Sequence, residues 1–270
     1  MFTKMFKNLS EEKSGALITY VCCGDISIDF SEELIAQICT CGADVVELGV
    51  PFSDPMADGK AVQAASNRAL KNGVNIEKIT EMAKRLRSCG IDKPFVLFSY
   101  FNPILKMGID KVLNLCVDSG INAIATIDVP LEEADEVVSL SSLRGIDFIP
   151  FASSTTSVER IAKISQKGSG FLYYISPKKF PIDCECSKNR LLEQLKDVCM
   201  TSSLPVALDA NFSNIEDLKG LKSDVDAVVI PSAIVDMVYR NYENFGRAKT
   251  LEVVGKYVST VSRILKNTAI

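Results

Sequence analysis

Glu47 stands inside the apolar run Val45-Val46-Glu47-Leu48-Gly49. An ionised carboxylate is costly to bury there unless it is paired or put to use. Asp58 follows eleven residues later in Pro51-Phe52-Ser53-Asp54-Pro55-Met56-Ala57-Asp58-Gly59, a loop stiffened by two prolines and closed by a glycine. The chain has no histidine, so acid/base chemistry must use Asp, Glu, Tyr, Lys or Cys. Two carboxyl groups in such different settings suit that chemistry. The residue types alone also fit a quieter reading. Glu47 can accept hydrogen bonds in a barrel interior, and Ser53-Asp54-Pro55 and Ala57-Asp58-Gly59 can be turns in which Asp bonds the local backbone.

Elements able to position these residues follow from periodicity. Short apolar runs suited to buried parallel strands occur at Ala16 to Val21, Val45 to Gly49, Phe95 to Tyr100 and Ala123 to Ile127. Four more lie at Phe148 to Phe151, Phe171 to Ile175, Val206 to Leu208 and Ala227 to Ile230. Stretches of helical period separate them: Phe30, Leu34, Ile35, Ile38 and Cys39 share one stripe, as do Ile76, Ile79, Met82, Ala83 and Leu86. Val254, Tyr257, Val258, Val261 and Leu265 repeat likewise near the end of the sequence, and Thr156-Ser157-Val158-Glu159 has the form of a capping box. Strands separated by helices run parallel through right-handed crossovers. Eight such units predict an α/β fold of one domain over residues 1–270, a (β/α)8 TIM barrel, with a doubly wound open sheet as the alternative. Met1 to Lys7 reads as an extra N-terminal amphipathic helix. Catalytic groups then belong on the loops after the strands.

Composition narrows the partners. With 47% hydrophobic and 24% charged residues, the 270-residue chain has the material for a sizeable core. A net charge of -4 without a long basic block argues against nucleic acid. Nine cysteines, an odd number without the spacing of a secreted disulfide framework, fit a reducing compartment. No apolar run is long enough to span a bilayer or to serve as a signal peptide, which predicts a cytoplasmic protein. Cys184-Glu185-Cys186 is a weak metal motif without histidine or a second pair, and no metal is assigned.

The segment from Glu47 to Gly59 resembles the signature of tryptophan synthase alpha chains. The similarity continues through Tyr20-Val21-Cys22-Cys23-Gly24-Asp25, Tyr100-Phe101-Asn102-Pro103 and Asp128-Val129-Pro130-Leu131-Glu132-Glu133. Toward the end it is carried by Gly170-Phe171-Leu172-Tyr173-Tyr174-Ile175-Ser176 and Ser232-Ala233-Ile234-Val235. This resemblance implies a lyase of tryptophan biosynthesis that cleaves indole-3-glycerol phosphate to indole and glyceraldehyde 3-phosphate. By the same resemblance Glu47 is the acid/base residue and Asp58 the acceptor for the indole NH. Tyr20, Tyr100 and Tyr173 match aromatic positions around the indole, and Ser232 matches the substrate-binding segment after the eighth strand. The expected partner is a tryptophan synthase beta chain in an alpha-beta-beta-alpha tetramer, met in part through Asp54 and Pro55. No cofactor is expected in this chain, pyridoxal phosphate being expected in the beta partner.

The phosphate end departs from the family pattern. Pro177-Lys178-Lys179-Phe180-Pro181-Ile182-Asp183 replaces a glycine-containing lid, and Asp209-Ala210-Asn211 replaces a Gly-Phe-Gly. An Asp209 carboxylate about 5 Å from a phosphate charge costs roughly 3 kcal/mol per charge pair at an effective dielectric of about 20. Pro231 stands where a glycine usually offers its NH. Lys178 and Lys179 are candidate replacements for the lost donors. Three functions therefore compete: a working lyase weakened at its phosphate site, a catalytically impaired subunit that activates the beta chain, and an unrelated phosphate-ligand barrel. A Schiff-base aldolase of the last kind has only Lys60 near a strand end.

Overall fold

The run Ala16–Cys22 is buried along its whole length, as a strand covered on both faces must be. It forms β1 and pairs in parallel with β2 (Val45–Gly49). Beyond β2 lie β3 (Phe95–Ser99), β4 (Ala123–Thr126) and β5 (Asp147–Ile149). On the other side of β1 come β9 (Ala227–Ile230), β8 (Val206–Asp209), β7 (Leu172–Ile175) and β6 (Phe151–Ser153), in that order. All recorded pairings are parallel. This computed structural model describes residues 1–176, 185–209, 218 and 225–266, apart from the side chains of residues 185–191.

The expected single strand from Phe148 to Phe151 is divided at Pro150. Proline has no NH to give a ladder, so β5 pairs with β4 while β6 pairs with β7. The Pro150 carbonyl still accepts a hydrogen bond from the Tyr173 NH at 2.9 Å. Because β5 and β6 are consecutive in the chain, they join the two ends of the strand order into a nearly closed barrel. The expected eight strands are thus present, with the fifth in two pieces.

Helices cover the outside: α2 (Ile28–Thr40), α3 (Lys60–Lys71), α4 (Ile76–Ser88), α5 (Phe101–Met107) and α6 (Ile109–Ser119) in the first half. They are followed by α7 (Asp135–Leu143), α8 (Val158–Lys167), α9 (Glu185–Thr201) and α10 (Ser232–Leu265), the last kinked at Gly246. The stripes read from the sequence of α2 and α4 are buried, and Ser27 and Asn75 cap these helices by accepting from Phe30 N and Lys78 N. One cap differs from expectation. Ser157, not Thr156, accepts from the Arg160 NH at the start of α8, while the Thr156 hydroxyl accepts from Ser153 N at 3.0 Å. A local turn has captured the threonine.

The N-terminal helix α1 (Phe2–Glu11) buries Phe2, Phe6 and Leu9. Phe2 and Phe6 meet Phe171, just before β7, at ring-centroid distances of 5.7 and 6.0 Å. This packing plugs the end of the barrel where the strands begin and leaves the other end for the loops. Among the described residues, no helix is long and apolar enough to cross a membrane.

Candidate functional site

Parallel register sets the inner wall. Tyr20 pairs with Glu47, which pairs with Val96; one layer further along, Cys22, Gly49 and Phe98 align across the same strands. Side chains alternate between barrel interior and helix layer along each strand. On β3, Phe95 lies under the Arg87 guanidinium of α4 at 3.9 Å, whereas Phe98 turns inward onto Tyr20 at 5.6 Å and Tyr173 at 6.1 Å. Phe151 completes this aromatic lining at 4.8 Å from Tyr173. Glycine is required at position 49 because any Cβ there would overlap the ring and hydroxyl of Tyr20.

Gly49→Ala is therefore expected to destabilise the chain by about 1–3 kcal/mol through overpacking. Adding Tyr20→Leu should recover part of that loss, since the two changes share one contact. Chemical denaturation of the two single variants and the double variant checks this; simple additivity would rule out the proposed clash.

At the loop end of the barrel, Tyr20, Phe98 and Tyr173 border a cavity of about 400 Å³ together with Asp58, Asp209 and Ser232. Ser232 is the first residue of α10, so this helix starts on the cavity wall. Asp209 ends β8, with its Oδ2 3.4 Å from the Tyr173 hydroxyl. Burial raises Asp209 from 3.8 to about 7, while the Tyr173 hydroxyl acts in the opposite direction.

Asp58 is presented by a loop that is held from two sides. The Tyr100 hydroxyl accepts from Ala57 N at 2.9 Å, and Gln63 of α3 donates to the Asp58 carbonyl at 2.9 Å. Tyr100 also stacks on Phe52 at 5.1 Å. Behind α3, Arg68 pairs with the buried Asp25 in the loop after β1 at 2.5 Å, anchoring the helix to the barrel. Burial moves the Asp58 carboxyl from 3.8 to about 6, and the neighbouring Tyr100 hydroxyl opposes the rise.

Glu47 is fully buried. Its side chain is 0% exposed, and neither carboxyl oxygen has a hydrogen-bond partner among the described residues. Burial, followed by the negative charge of Asp209, holds it well above its ordinary value of 4.5. Burial of this kind favours the protonated acid over the carboxylate, and a protonated carboxyl can donate a proton. Tyr20 and Tyr173 are also pushed upward, chiefly by burial, and remain neutral hydroxyls.

The expected site residues thus fall into three places. Asp58, Tyr20, Tyr173 and Ser232 border the cavity directly. Glu47 is on the same inner wall but is not part of the cavity border, and Tyr100 lies behind the Asp58 loop. Asp54 and Pro55 are outside on the loop crest. Asp54 is exposed and accepts from the Ser53 hydroxyl at 2.6 Å; next to the half-buried Pro55, Met56 is 90% exposed. Lys60 is an exposed residue opening α3 and does not border the cavity. Phe98 and Gln63 were missed by sequence reasoning; inward alternation along β3 was the available signal for Phe98.

Lys178, Lys179, Ala210, Asn211 and the side chains of the Cys184–Cys186 motif lie outside the described residues. Among the described residues, no group of three or more His, Cys, Asp or Glu side chains is placed to hold a metal ion.

A family model described as "Tryptophan synthase alpha chain" matches residues 6–262. The tryptophan synthase alpha chain of Caldanaerobacter subterraneus subsp. tengcongensis is 35% identical over 262 residues, covering 97% of this chain and 98% of the relative. That of Marinobacter nauticus is 35% identical over 237 residues, covering 88% of each. The crystal structure of tryptophan synthase subunit alpha from Legionella pneumophila matches with a TM-score of 0.90 and 29% identity, over 99% of this chain and 98% of that one. With the full-length sequence matches and this barrel in agreement, the chain belongs to the tryptophan synthase alpha chain family.

Proposed function

We propose that this chain is the alpha subunit of a tryptophan synthase and cleaves indole-3-glycerol phosphate to indole and glyceraldehyde 3-phosphate. The carrying observation is Glu47, a buried carboxyl with no hydrogen-bond partner among the described residues, on the inner wall that also bears the cavity-lining Tyr20 and Tyr173. A proton donor held neutral in this way suits protonation of indole carbon 3, which makes the ring a leaving group.

In this reading the indole enters among Tyr20, Phe98 and Tyr173, and its NH donates to ionised Asp58. Glu47 turns about its side-chain bonds to face the ring and delivers its proton to carbon 3. Positive charge then develops at the ring nitrogen, where Asp58 stabilises it. The hydroxyl beside the breaking carbon–carbon bond loses its proton as its oxygen becomes the aldehyde of glyceraldehyde 3-phosphate. The bond's electron pair returns to the indole ring, and Glu47, now a carboxylate, takes up the released proton. Tyr100 acts through Asp58 by fixing the loop at Ala57, a positioning role.

The expected product test uses the purified chain with its beta partner and indole-3-glycerol phosphate. Indole and glyceraldehyde 3-phosphate should appear in equal amounts; absence of both would remove the lyase reading.

A specific observation also supports the impaired-activator alternative: Asp209 and Pro231 border the cavity near the start of α10. A carboxylate and a residue without NH weaken the phosphate end of the site. The chain then still docks on the beta subunit, in an alpha-beta-beta-alpha assembly, through a surface that includes Asp54 and Pro55. It stimulates tryptophan formation from indole and serine, with pyridoxal phosphate belonging to the beta subunit. Stimulation without indole release would select this alternative, and release together with stimulation would select the lyase.

A further inference from the structure

One wall of the cavity combines two features that oppose each other toward an anion. Ser232 begins α10, whose first NH groups and helix dipole favour negative charge. Asp209 borders the same cavity and disfavors that charge when ionised. The backbone carbonyl of Asp209 is bonded by Ser176 N at 3.1 Å, which fixes the end of β8 beside the cavity-lining Ser176.

Among the described residues, the titratable groups facing Asp209 are all acids. Tyr173 on β7 is its hydrogen-bond neighbour, Glu47 on β2 interacts with its charge, and Tyr20 on β1 and Asp58 on the loop before α3 border the cavity. No lysine or arginine is among the described residues lining this cavity. Ionising Asp209 therefore adds negative charge beside Glu47 without a described cation to offset it.

We propose that Asp209 determines how the cavity receives an anionic group: as a carboxylic acid it donates a hydrogen bond to an anion oxygen, and as a carboxylate it repels the anion. Where Asp209 is ionised in the free chain, anion binding takes up a proton from solvent at this residue. The proposal rests on the functional reading only in taking the cavity as the site of an indole with an anionic tail. Burial places Asp209 at about 7 in the free chain. Bound anion stabilises the protonated form and raises it further, so affinity is highest below that value and falls as pH rises above it.

The test measures binding to the full-length chain by calorimetry with two indole probes. One is 3-(indol-3-yl)propane-1-sulfonate, whose charge is fixed across this range; the other is the uncharged 3-(indol-3-yl)propan-1-ol. The ratio of their affinities isolates the anionic tail from titration of Asp58 at the indole end. That ratio should fall roughly thirty-fold between about pH 6 and about pH 8.5. Asp209→Asn should retain sulfonate binding and abolish the fall, with Asp209→Gly as a second variant that also lacks the carboxyl. Glu47→Gln should keep a fall in the same direction. A flat ratio in the wild type, or a fall that persists in both Asp209 variants, overturns the proposal alone. Failure of the uncharged probe to bind at any pH overturns the indole-site reading and this inference with it; binding of the uncharged probe without sulfonate binding at any pH overturns this inference alone.

Discussion

Glu47→Gln is expected to lower indole release by roughly 10²- to 10⁴-fold, the range for loss of a positioned general acid. Glutamine is close in size and polar, so the barrel wall is retained while the transferable proton is lost. The substitution also gives a stability result of definite sign. Glu47 sits well above its ordinary value of 4.5 because of burial and Asp209. Over the window from about 4.5 up to that raised value, the folded chain keeps a proton that the unfolded chain has released. Wild-type stability contributed by this group is therefore present at low pH and lost as pH rises across the window. Glu47→Gln removes that dependence, so the variant gains stability relative to wild type as pH rises from about 4.5 toward that raised value. Steady-state kinetics and urea denaturation at two pH values read the two effects. A variant with wild-type turnover would exclude Glu47 as the acid, whatever its stability.

Asp58→Asn is expected to reduce kcat by about 10²- to 10³-fold, comparable with removing one preorganised electrostatic contact to developing charge. Asparagine can still accept the indole NH but carries no charge to offset the positive ring nitrogen. The pH profile separates this role from simple positioning. Burial places Asp58 at about 6, so wild-type kcat/KM should fall as pH drops through that value and the carboxylate is protonated. The acid limb should be missing from Asp58→Asn. By contrast, Tyr100→Phe removes the hydroxyl that holds Ala57 and should affect the reaction through the loop, keeping an acid limb that is displaced because Tyr100 also acts on Asp58. Identical acid limbs in wild type and Asp58→Asn would show that another group sets the profile.

Glu47 was legible in the sequence because a carboxyl inside a five-residue strand contrasts with its apolar neighbours. The strands were legible for a related reason: parallel strands buried on both faces need nearly unbroken apolar runs, as Phe95–Ser99 and Ala227–Ile230 illustrate. Helix stripes in α2 and α4 were equally direct, since burial follows their periodicity. Pro150 was visible as a residue, but the division of the fifth strand depends on its two neighbours across the barrel. Thr156 was assigned to a helix cap because the box pattern fits, whereas a turn to Ser153 holds it in the fold.

The site was less legible wherever its properties depend on closure of the barrel. Tyr100 matched an aromatic substrate position, yet its hydroxyl holds the Asp58 loop from across 43 positions of sequence separation. Asp209 read simply as a charge opposed to phosphate. Its contact with Tyr173, its influence on Glu47 and its raised pKa arise only when β8 is brought beside β7 and into the same interior as β2. The sequence motif therefore located both catalytic candidates, while the tertiary fold supplied the electrostatic coupling between Glu47 and Asp209.

The cleavage account is tested most directly by running indole-3-glycerol phosphate with the purified chain and its beta partner in heavy water, before any added serine can consume the product. The predicted result is indole carrying one deuterium at carbon 3, released in equal amount with glyceraldehyde 3-phosphate and strongly reduced by Glu47→Gln. No indole, or freshly released indole carrying protium at carbon 3, would contradict delivery of a proton to that carbon by a solvent-exchanged acid in this barrel.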